Sequence, residues 1–129
     1  MTWILAIDLG NGGPKVAAVS PQGDILATAF HPVSVNIGRD GSATQDALEW
    51  EAALRAAIAQ VTGDVDPDDL AAIGITGQWG STVPVGADGD PVGPVLLWSD
   101  TRSRNNVSRI IGGPVSVAGY APQKVLPWL

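Results

Sequence analysis

Three short apolar runs alternate with turn-forming residues at the start of the chain. The runs cover residues 3–7, 15–19 and 25–30. Short apolar runs bounded by Gly, Pro and Asp are typical of β-strands. The connections between them are too short for a parallel crossover, which needs about a dozen residues or more. The pattern therefore predicts a three-stranded antiparallel meander.

One amphipathic helix is predicted next, after a polar, Gly-rich loop at residues 31–45. Asp46 stands at the expected N-cap position, and Glu49 three residues later completes a pattern similar to a capping box. Gly63 marks the expected end of the helix. Apolar residues recur at helical spacing and predict the face that packs on the sheet. They are Trp50, Leu54, Ala57, Ile58 and Val61.

The following segment predicts a short helical turn, three strands and a second helix. Pro67 opens the turn, since proline is favoured at the first helical position. The strands are predicted at residues 71–76, 82–85 and 95–98, with an Asp88-Gly89 turn between the last two. Ser99 and Asp100 can cap a helix that runs through Ile110. Together the elements predict an α/β fold with a mixed sheet.

Composition narrows the possible functions. The chain has 129 residues, about one domain, and its 45% hydrophobic and 16% charged residues are typical of a folded protein. A formal net charge of −6 argues against nucleic-acid binding. Zero cysteines and one histidine exclude a disulfide framework, a thiol nucleophile and a multi-histidine metal site. Without a basic leader or a long apolar run, the protein is expected to be cytoplasmic, with no membrane partner.

The charges are unevenly distributed along the chain. All 13 acidic residues lie within residues 1–100, whereas residues 101–129 carry four of the seven basic residues and no acid. A solvated helix face would produce this distribution, and so would a surface that meets an anion or an acidic partner. The charge pattern leaves both interpretations open.

The turn at residues 10–15 is the main candidate for chemistry. A Walker A loop is excluded, because Pro14 and Val16 flank Lys15 where Gly and Ser or Thr are required. A dinucleotide fingerprint is excluded as well, because it must open a helix and a strand is predicted here. A glycine hairpin can instead direct several backbone N–H groups at an anion, while Asp8 is suited to hold Mg²⁺ through water. From the turn alone, a plain glycine-rich hairpin remains the alternative.

Three motifs resemble those of the FGGY family of carbohydrate kinases, which includes xylulokinase and glycerol kinase. They are Asp8-Leu9-Gly10 with the following turn and Lys15, the segment Ile-Gly-Ile-Thr-Gly-Gln-Trp-Gly-Ser at residues 73–81, and Leu-Leu-Trp-Ser-Asp-Thr-Arg at residues 96–102. The motifs follow one another in the family's order. Within the family the chain most resembles xylulokinase. This resemblance implies the RNase-H-like fold of the actin-like ATPase superfamily. Residues 1–129 would form the N-terminal part of the first of two domains, an incomplete domain.

The same resemblance implies which residues bind ligands. Asp8 would help to hold Mg²⁺ beside ATP. The nucleotide phosphates would be faced by Gly10, Asn11, Gly12, Gly13 and Lys15. The sugar or polyol substrate would be bordered by Gln78, Trp79, Trp98, Asp100 and Arg102. Tryptophan faces suit the C–H surface of a sugar, and Asp and Arg suit its hydroxyl groups, although Asp100 is equally explained as a helix cap.

Two hypotheses of function follow. The first is the N-terminal segment of an ATP-dependent sugar or polyol kinase; the family's catalytic base falls beyond residue 129, so these residues alone are expected to be inactive. The second is a non-catalytic truncated paralogue, or a split subunit that folds with the remainder of the kinase or with another copy. The altered turn motivates it, because Asn11 and Gly12 stand where Thr and a small residue such as Ser are usual. On the sugar side, Trp79-Gly80-Ser81 replaces the Met-His-Gly of xylulokinases, which argues against xylulose as the substrate.

Overall fold

The computed structural model describes residues 1–103, which form two sheets and one long helix. A short 3₁₀ helix at Pro67–Asp69 precedes the last strand of the larger sheet. In chain order the main elements are β1 (Trp3–Gly10), β2 (Gly13–Val19), β3 (Ile25–Phe30), β4 (Asn36–Ile37), β5 (Ala43–Gln45), α1 (Ala47–Gly63), β6 (Leu70–Gly77) and β7 (Val95–Leu96).

The larger sheet has the strand order β3-β2-β1-β6 and is mixed. Its first three strands are antiparallel neighbours, which confirms the predicted meander. Strand β6 lies parallel to β1 on the other side, after the crossover through α1. The predicted α/β class with a mixed sheet is therefore confirmed. Because β1 is paired on both sides, the residues at its carboxyl end meet both the β1–β2 turn and the end of β6.

Helix α1 begins and ends as its sequence predicts. The Asp46 side chain accepts a hydrogen bond from the Leu48 N–H at 2.9 Å, which satisfies a free donor of the first turn. The predicted capping box is wrong. Glu49 instead accepts hydrogen bonds from the backbone N–H and the hydroxyl of Ser34, at 2.9 and 3.0 Å. The chain after β3 passes the first turn of α1 and offers two donors to one carboxylate oxygen.

Two hydrophobic cores hold these elements together. The predicted stripe of α1 is confirmed, because its apolar residues pack into both cores. The larger core, between the main sheet and the helix, contains Trp3, Leu5, Ile7, Val16, Ala18, Ala29, Ala57 and Val61. The smaller core, between α1 and the second sheet, contains Val33, Ala43, Trp50, Val95 and Leu97.

The second sheet, with the order β4-β5-β7, corrects two predictions. Residues 31–45 are predicted to be a loop, but they contain β4 and β5, which pair with each other. Strand β5 also pairs with residues 95–96, and no local pattern reveals this second pairing. The predicted strand at residues 82–85 is reduced to isolated bridges at Thr82 and Val85. Pro84 within this segment has no N–H, so it cannot continue a ladder of hydrogen bonds.

Strand β6 leaves an apolar surface open at the edge of the main sheet. Ile73 and Ile75 are 57% and 74% exposed, although they lie beside Leu5 and Ile7 on the face that α1 covers elsewhere. Helix α1 packs across β2 and β3. The β6 end of this face is therefore uncovered within residues 1–103.

Two further observations concern the rest of the chain. Within the part that the structure describes, no helix is long and apolar enough to span a bilayer. The described residues end with turns within residues 98–103. The helix expected after Asp100, and most of the basic segment at residues 101–129, lie outside them.

Candidate functional site

The carboxyl ends of β1 and β6 meet at one edge of the main sheet. Asp8 lies directly beside Thr76 in the parallel register, and the Gln78 N–H donates to the Leu9 carbonyl at 2.9 Å. In α/β sheets, ligands bind outside the carboxyl ends of parallel strands. The position of Asp8 at this edge therefore favours a binding role over a plain surface role.

Asp8 and Lys15 face each other across the antiparallel pair of β1 and β2. The Lys15 ammonium nitrogen lies 3.7 Å from one Asp8 carboxylate oxygen, and the two side chains are 66% and 45% exposed. Both line an open groove of about 450 Å³ together with Ala6, Ala17, Thr28, Gly74 and Thr76. Exposed ion pairs contribute little to stability, so a ligand can separate the two charges at small cost.

The β1–β2 turn consists of Asn11 and Gly12, and both are exposed. Their carbonyl groups are held from the protein side. The Asn11 oxygen accepts from the Gln45 side-chain amide at 2.9 Å, and the Gly12 oxygen accepts from the Val33 N–H at 3.1 Å. The C=O and N–H of one trans peptide point in opposite directions. The Gly12 N–H is therefore directed away from Gln45, outward, where an anion can reach it.

Glycine is required at Gly13 for two reasons. Its φ of +133° is one that L-residues rarely adopt, and a Cβ there would overlap the His31 carbonyl oxygen. At Gly10 a Cβ would make only ordinary van der Waals contacts, 3.4 Å from the Gly13 carbonyl oxygen and 3.7 Å from the Asp8 carboxylate. A Cβ at Gly12 would meet nothing within 4 Å. The turn is therefore constrained at its base and open at its tip.

Gln45 is a residue of the site that the sequence did not indicate. It is 1% exposed, and its amide contacts the Asn11 carbonyl, the Trp50 indole and the Gln78 side chain. It stands directly before the helix cap, at the end of a three-residue strand. No motif marks such a position, so only the assembled fold identifies it.

The residues expected to border the sugar fall into two groups. Trp98, Asp100 and Arg102 line one open groove of about 690 Å³ with Gly80, Thr82, Leu96, Leu97 and Ser103. Trp98 is 61% exposed and lies against Gly80, where a Cβ would come within 3.3 Å of the Trp98 Cβ. Gln78 and Trp79 directly precede this groove in the chain. Of the five residues expected to border the sugar, three therefore line one groove. The other two, Gln78 and Trp79, lie on the segment that leads into this groove.

Asp100 is held by internal partners. Its carboxylate accepts from the Ala43 N–H at 3.1 Å and from the Arg102 guanidinium at 2.7 Å, and its side chain is only 10% exposed. The Arg102 guanidinium holds the pKa of Asp100 well below its usual range, and Asp100 in turn raises the pKa of Arg102. Asp100 also accepts from the Arg102 N–H, the bond that an N-cap residue makes. The half-exposed Arg102 is thus the member of the pair that is available to a ligand.

The donor set at Asp8 fits a magnesium ion that is bound largely through a substrate. Among residues 1–103, no three His, Asp or Glu side chains lie together as metal ligands. Mg²⁺ is commonly bound by one or two carboxylates plus water and substrate phosphates. Asp8 supplies one such carboxylate at the sheet edge that also carries the exposed Asn11-Gly12 turn.

Comparison with known proteins decides the family. The model of the FGGY family of carbohydrate kinases, N-terminal domain, matches residues 3–117. The chain belongs to this family. The resemblance that the three motifs indicated is therefore confirmed.

The relatives of this FGGY chain are named for different substrates. It is 28% identical over 112 residues to the xylulose kinase of Staphylococcus xylosus, covering 85% of this chain and 23% of the relative. It is 32% identical over 111 residues to a glycerol kinase of Halobacterium salinarum, covering 84% and 22%. The ligand-bound xylulose kinase of Lactobacillus acidophilus shares its fold, with a TM-score of 0.79 at 20% identity over 87% of this chain and 23% of that one. The chain spans about a quarter of the length of the relatives it matches.

Replacing Gly13 tests the constraint at the base of the turn. We expect Gly13→Ala to lower the free energy of unfolding by about 2 kcal/mol or more, because the new Cβ meets a backbone oxygen at an unfavourable φ. Gly12→Ala is the matched control and should change stability by less than about 1 kcal/mol. Urea unfolding followed by circular dichroism measures both, and equal losses would contradict the assigned constraint.

The Asp100–Arg102 pair predicts a pH dependence of stability. The folded-state pKa of Asp100 is lowered from an ordinary value of 3.8, so the pair stabilises the fold fully above about pH 4. This contribution is lost as the pH falls through the lowered pKa. We expect the native protein to be more stable than Asp100→Asn at pH 7, with the difference shrinking below pH 4. Urea unfolding at several pH values measures the difference; a gap that stays constant down to pH 2 would refute the assignment, and Asp90→Asn is the control.

Proposed function

We propose that this chain provides the nucleotide-facing hairpin and one wall of the sugar site of an ATP-dependent sugar or polyol kinase. The observation that carries the proposal is the exposed Asn11-Gly12 turn. Its carbonyl groups are held inward by Gln45 and Val33, and it joins the two strands that carry Asp8 and Lys15. Membership of the FGGY family supports it, as do relatives named xylulose kinase and glycerol kinase.

On the nucleotide side, each group of the hairpin has a distinct role. The outward Gly12 N–H donates to a phosphate oxygen, and the exposed Gly12 lets that oxygen approach the backbone closely because it carries no Cβ. Lys15 adds a positive point charge. Asp8 holds the magnesium ion, directly or through water, and does not contact phosphate itself. Bound Mg²⁺ neutralises charge on the phosphate oxygens during phosphoryl transfer to a sugar hydroxyl.

On the sugar side, the groove beside Trp98 offers an apolar face and a cation. The exposed indoles of Trp98 and Trp79 suit the C–H surface of a sugar, and the guanidinium of Arg102 can donate to its hydroxyl groups. Asp100 acts mainly by orienting Arg102. These groups suit polyhydroxylated substrates as a class and do not distinguish a ketose from glycerol. Because ATP is an intracellular cosubstrate, the expected location remains cytoplasmic.

Substitution of Asp8 tests the nucleotide role. Titrating ATP into the 129-residue chain by calorimetry, with and without Mg²⁺, should reveal binding that depends on the metal. Asp8→Asn should weaken this binding by about tenfold, since it removes a charged ligand interaction. Asp90→Asn, which makes the same charge change in an exposed turn, should leave it unchanged. Absence of magnesium-dependent binding by the native chain would contradict the proposed function.

A second candidate is a subunit that completes its fold with another chain, either the remainder of a kinase or a second copy. The uncovered Ile73 and Ile75 on edge strand β6 favour it, because open apolar edges promote association. Under this proposal the chain self-associates with rising concentration, and Ile75→Lys weakens the association. Ile37→Lys, at a residue 81% exposed on β4, is the control. Analytical ultracentrifugation measures the mass, and a monomer at all concentrations would speak against self-association.

A further inference from the structure

The hydrogen bonds of Gln45 leave only one orientation for its buried amide. The Asn11 carbonyl can only accept a hydrogen bond, so the Gln45 nitrogen must face it, at 2.9 Å. The Trp50 indole can only donate, so the Gln45 oxygen must face the indole, at 3.1 Å. These two partners, at opposite ends of the amide, require the same orientation.

This orientation acts on the peptide that joins Asn11 to Gly12. As long as the Gln45 nitrogen holds the Asn11 oxygen inward, the Gly12 N–H of the same peptide points outward. Gly12 is exposed and has no side chain that could resist rotation of this peptide. Rotation would present the carbonyl oxygen to a bound phosphate and replace attraction with repulsion. The neighbouring peptide is held separately, by the Val33 N–H on the Gly12 oxygen.

The same amide reaches the other half of the site. Its oxygen also accepts from the Gln78 side-chain nitrogen at 3.3 Å, and the Gln78 oxygen accepts from the Ser81 hydroxyl at 3.1 Å. A continuous line of hydrogen bonds therefore runs from the nucleotide turn to the segment that leads into the sugar-side groove. Gln45 is buried, and Gln78 and Ser81 are half-buried; only Asn11, which contributes its backbone carbonyl, is exposed.

We propose that Gln45 is a positioning residue for phosphate binding: through the Asn11 carbonyl it keeps the Gly12 N–H aimed at the nucleotide phosphates. The inference rests on the proposed function, because it gives that N–H a phosphate ligand. Gln45 itself touches neither phosphate nor sugar. Its effect is on the affinity of the turn for an anion, beyond its contribution to the stability of the core.

The test compares two uncharged substitutions in the same core. Gln45→Met keeps a similar volume but removes the donor to Asn11, whereas Trp50→Phe removes one partner of the Gln45 oxygen and leaves that donor in place. Binding is followed by the ¹H–¹⁵N resonance of the Gly12 amide during titration with Mg·ATP and, separately, with inorganic phosphate. We expect Gln45→Met to weaken Mg·ATP binding by about tenfold, the usual scale for a charge-assisted hydrogen bond, and to abolish the Gly12 response. Trp50→Phe should retain both.

Three outcomes would overturn the inference. They are a native titration in which the Gly12 amide does not respond although ATP binds, a Gln45→Met variant that binds as the native chain does, and equal losses in both variants. The first needs no variant, so it applies even if Gln45→Met does not fold. Spin relaxation of the ligand-free chain gives an independent measurement: Asn11 and Gly12 should show conformational exchange in Gln45→Met and none in the native chain. If the native chain binds no ATP, the proposed function fails, and this relaxation experiment still decides whether Gln45 orients the turn.

Discussion

The simultaneous pairing of β1 with an antiparallel and a parallel neighbour is the constraint on which the site depends. The antiparallel partner β2 returns through a two-residue turn and places Lys15 across from Asp8. The parallel partner β6 ends at the same level and delivers Gln78 beside the end of β1. Without the parallel strand, Asp8 would stand at the exposed edge of a simple meander. With it, a carboxylate, an ammonium group and a glycine turn adjoin the segment that leads to the second groove.

Strand β5 connects the two halves of the site although it has only three residues. Its first residue, Ala43, is held by the Asp100 carboxylate and by the Leu97 N–H, beside the groove at Trp98. Its last residue, Gln45, is held by the Asn11 carbonyl of the β1–β2 turn. Gln45 is 1% exposed and the Asp100 side chain 10%. Among residues 1–103, no buried side-chain nitrogen or oxygen lacks a hydrogen-bond partner. Polar groups that are buried and fully paired favour one geometry, because any alternative leaves a group unpaired.

The predictions that succeeded concern features with local causes. The meander follows from strand runs joined by short turns, and α1 follows from a capping Asp46 and an apolar stripe that includes Trp50. The family follows from three motifs in a fixed order. The failed strand at residues 82–85 has a local cause in Pro84, whereas the other failures involve partners that are distant in the chain. Glu49 binds Ser34 because the chain after β3 passes by, and β5 pairs with residues 95–96 as well as with the nearby β4.

The amino-acid sequence by itself determined the α/β class, the order of the first three strands, α1 and β6, and the family. These properties depend on residue type and short-range spacing, which a sequence displays directly. Only the tertiary structure decided that Asp100 is engaged by Ala43 and Arg102, that Gly13 must avoid the His31 carbonyl, and that Gln45 holds the turn. The physical reason is that the direction of a hydrogen bond and the overlap of two backbones depend on where distant segments lie in space.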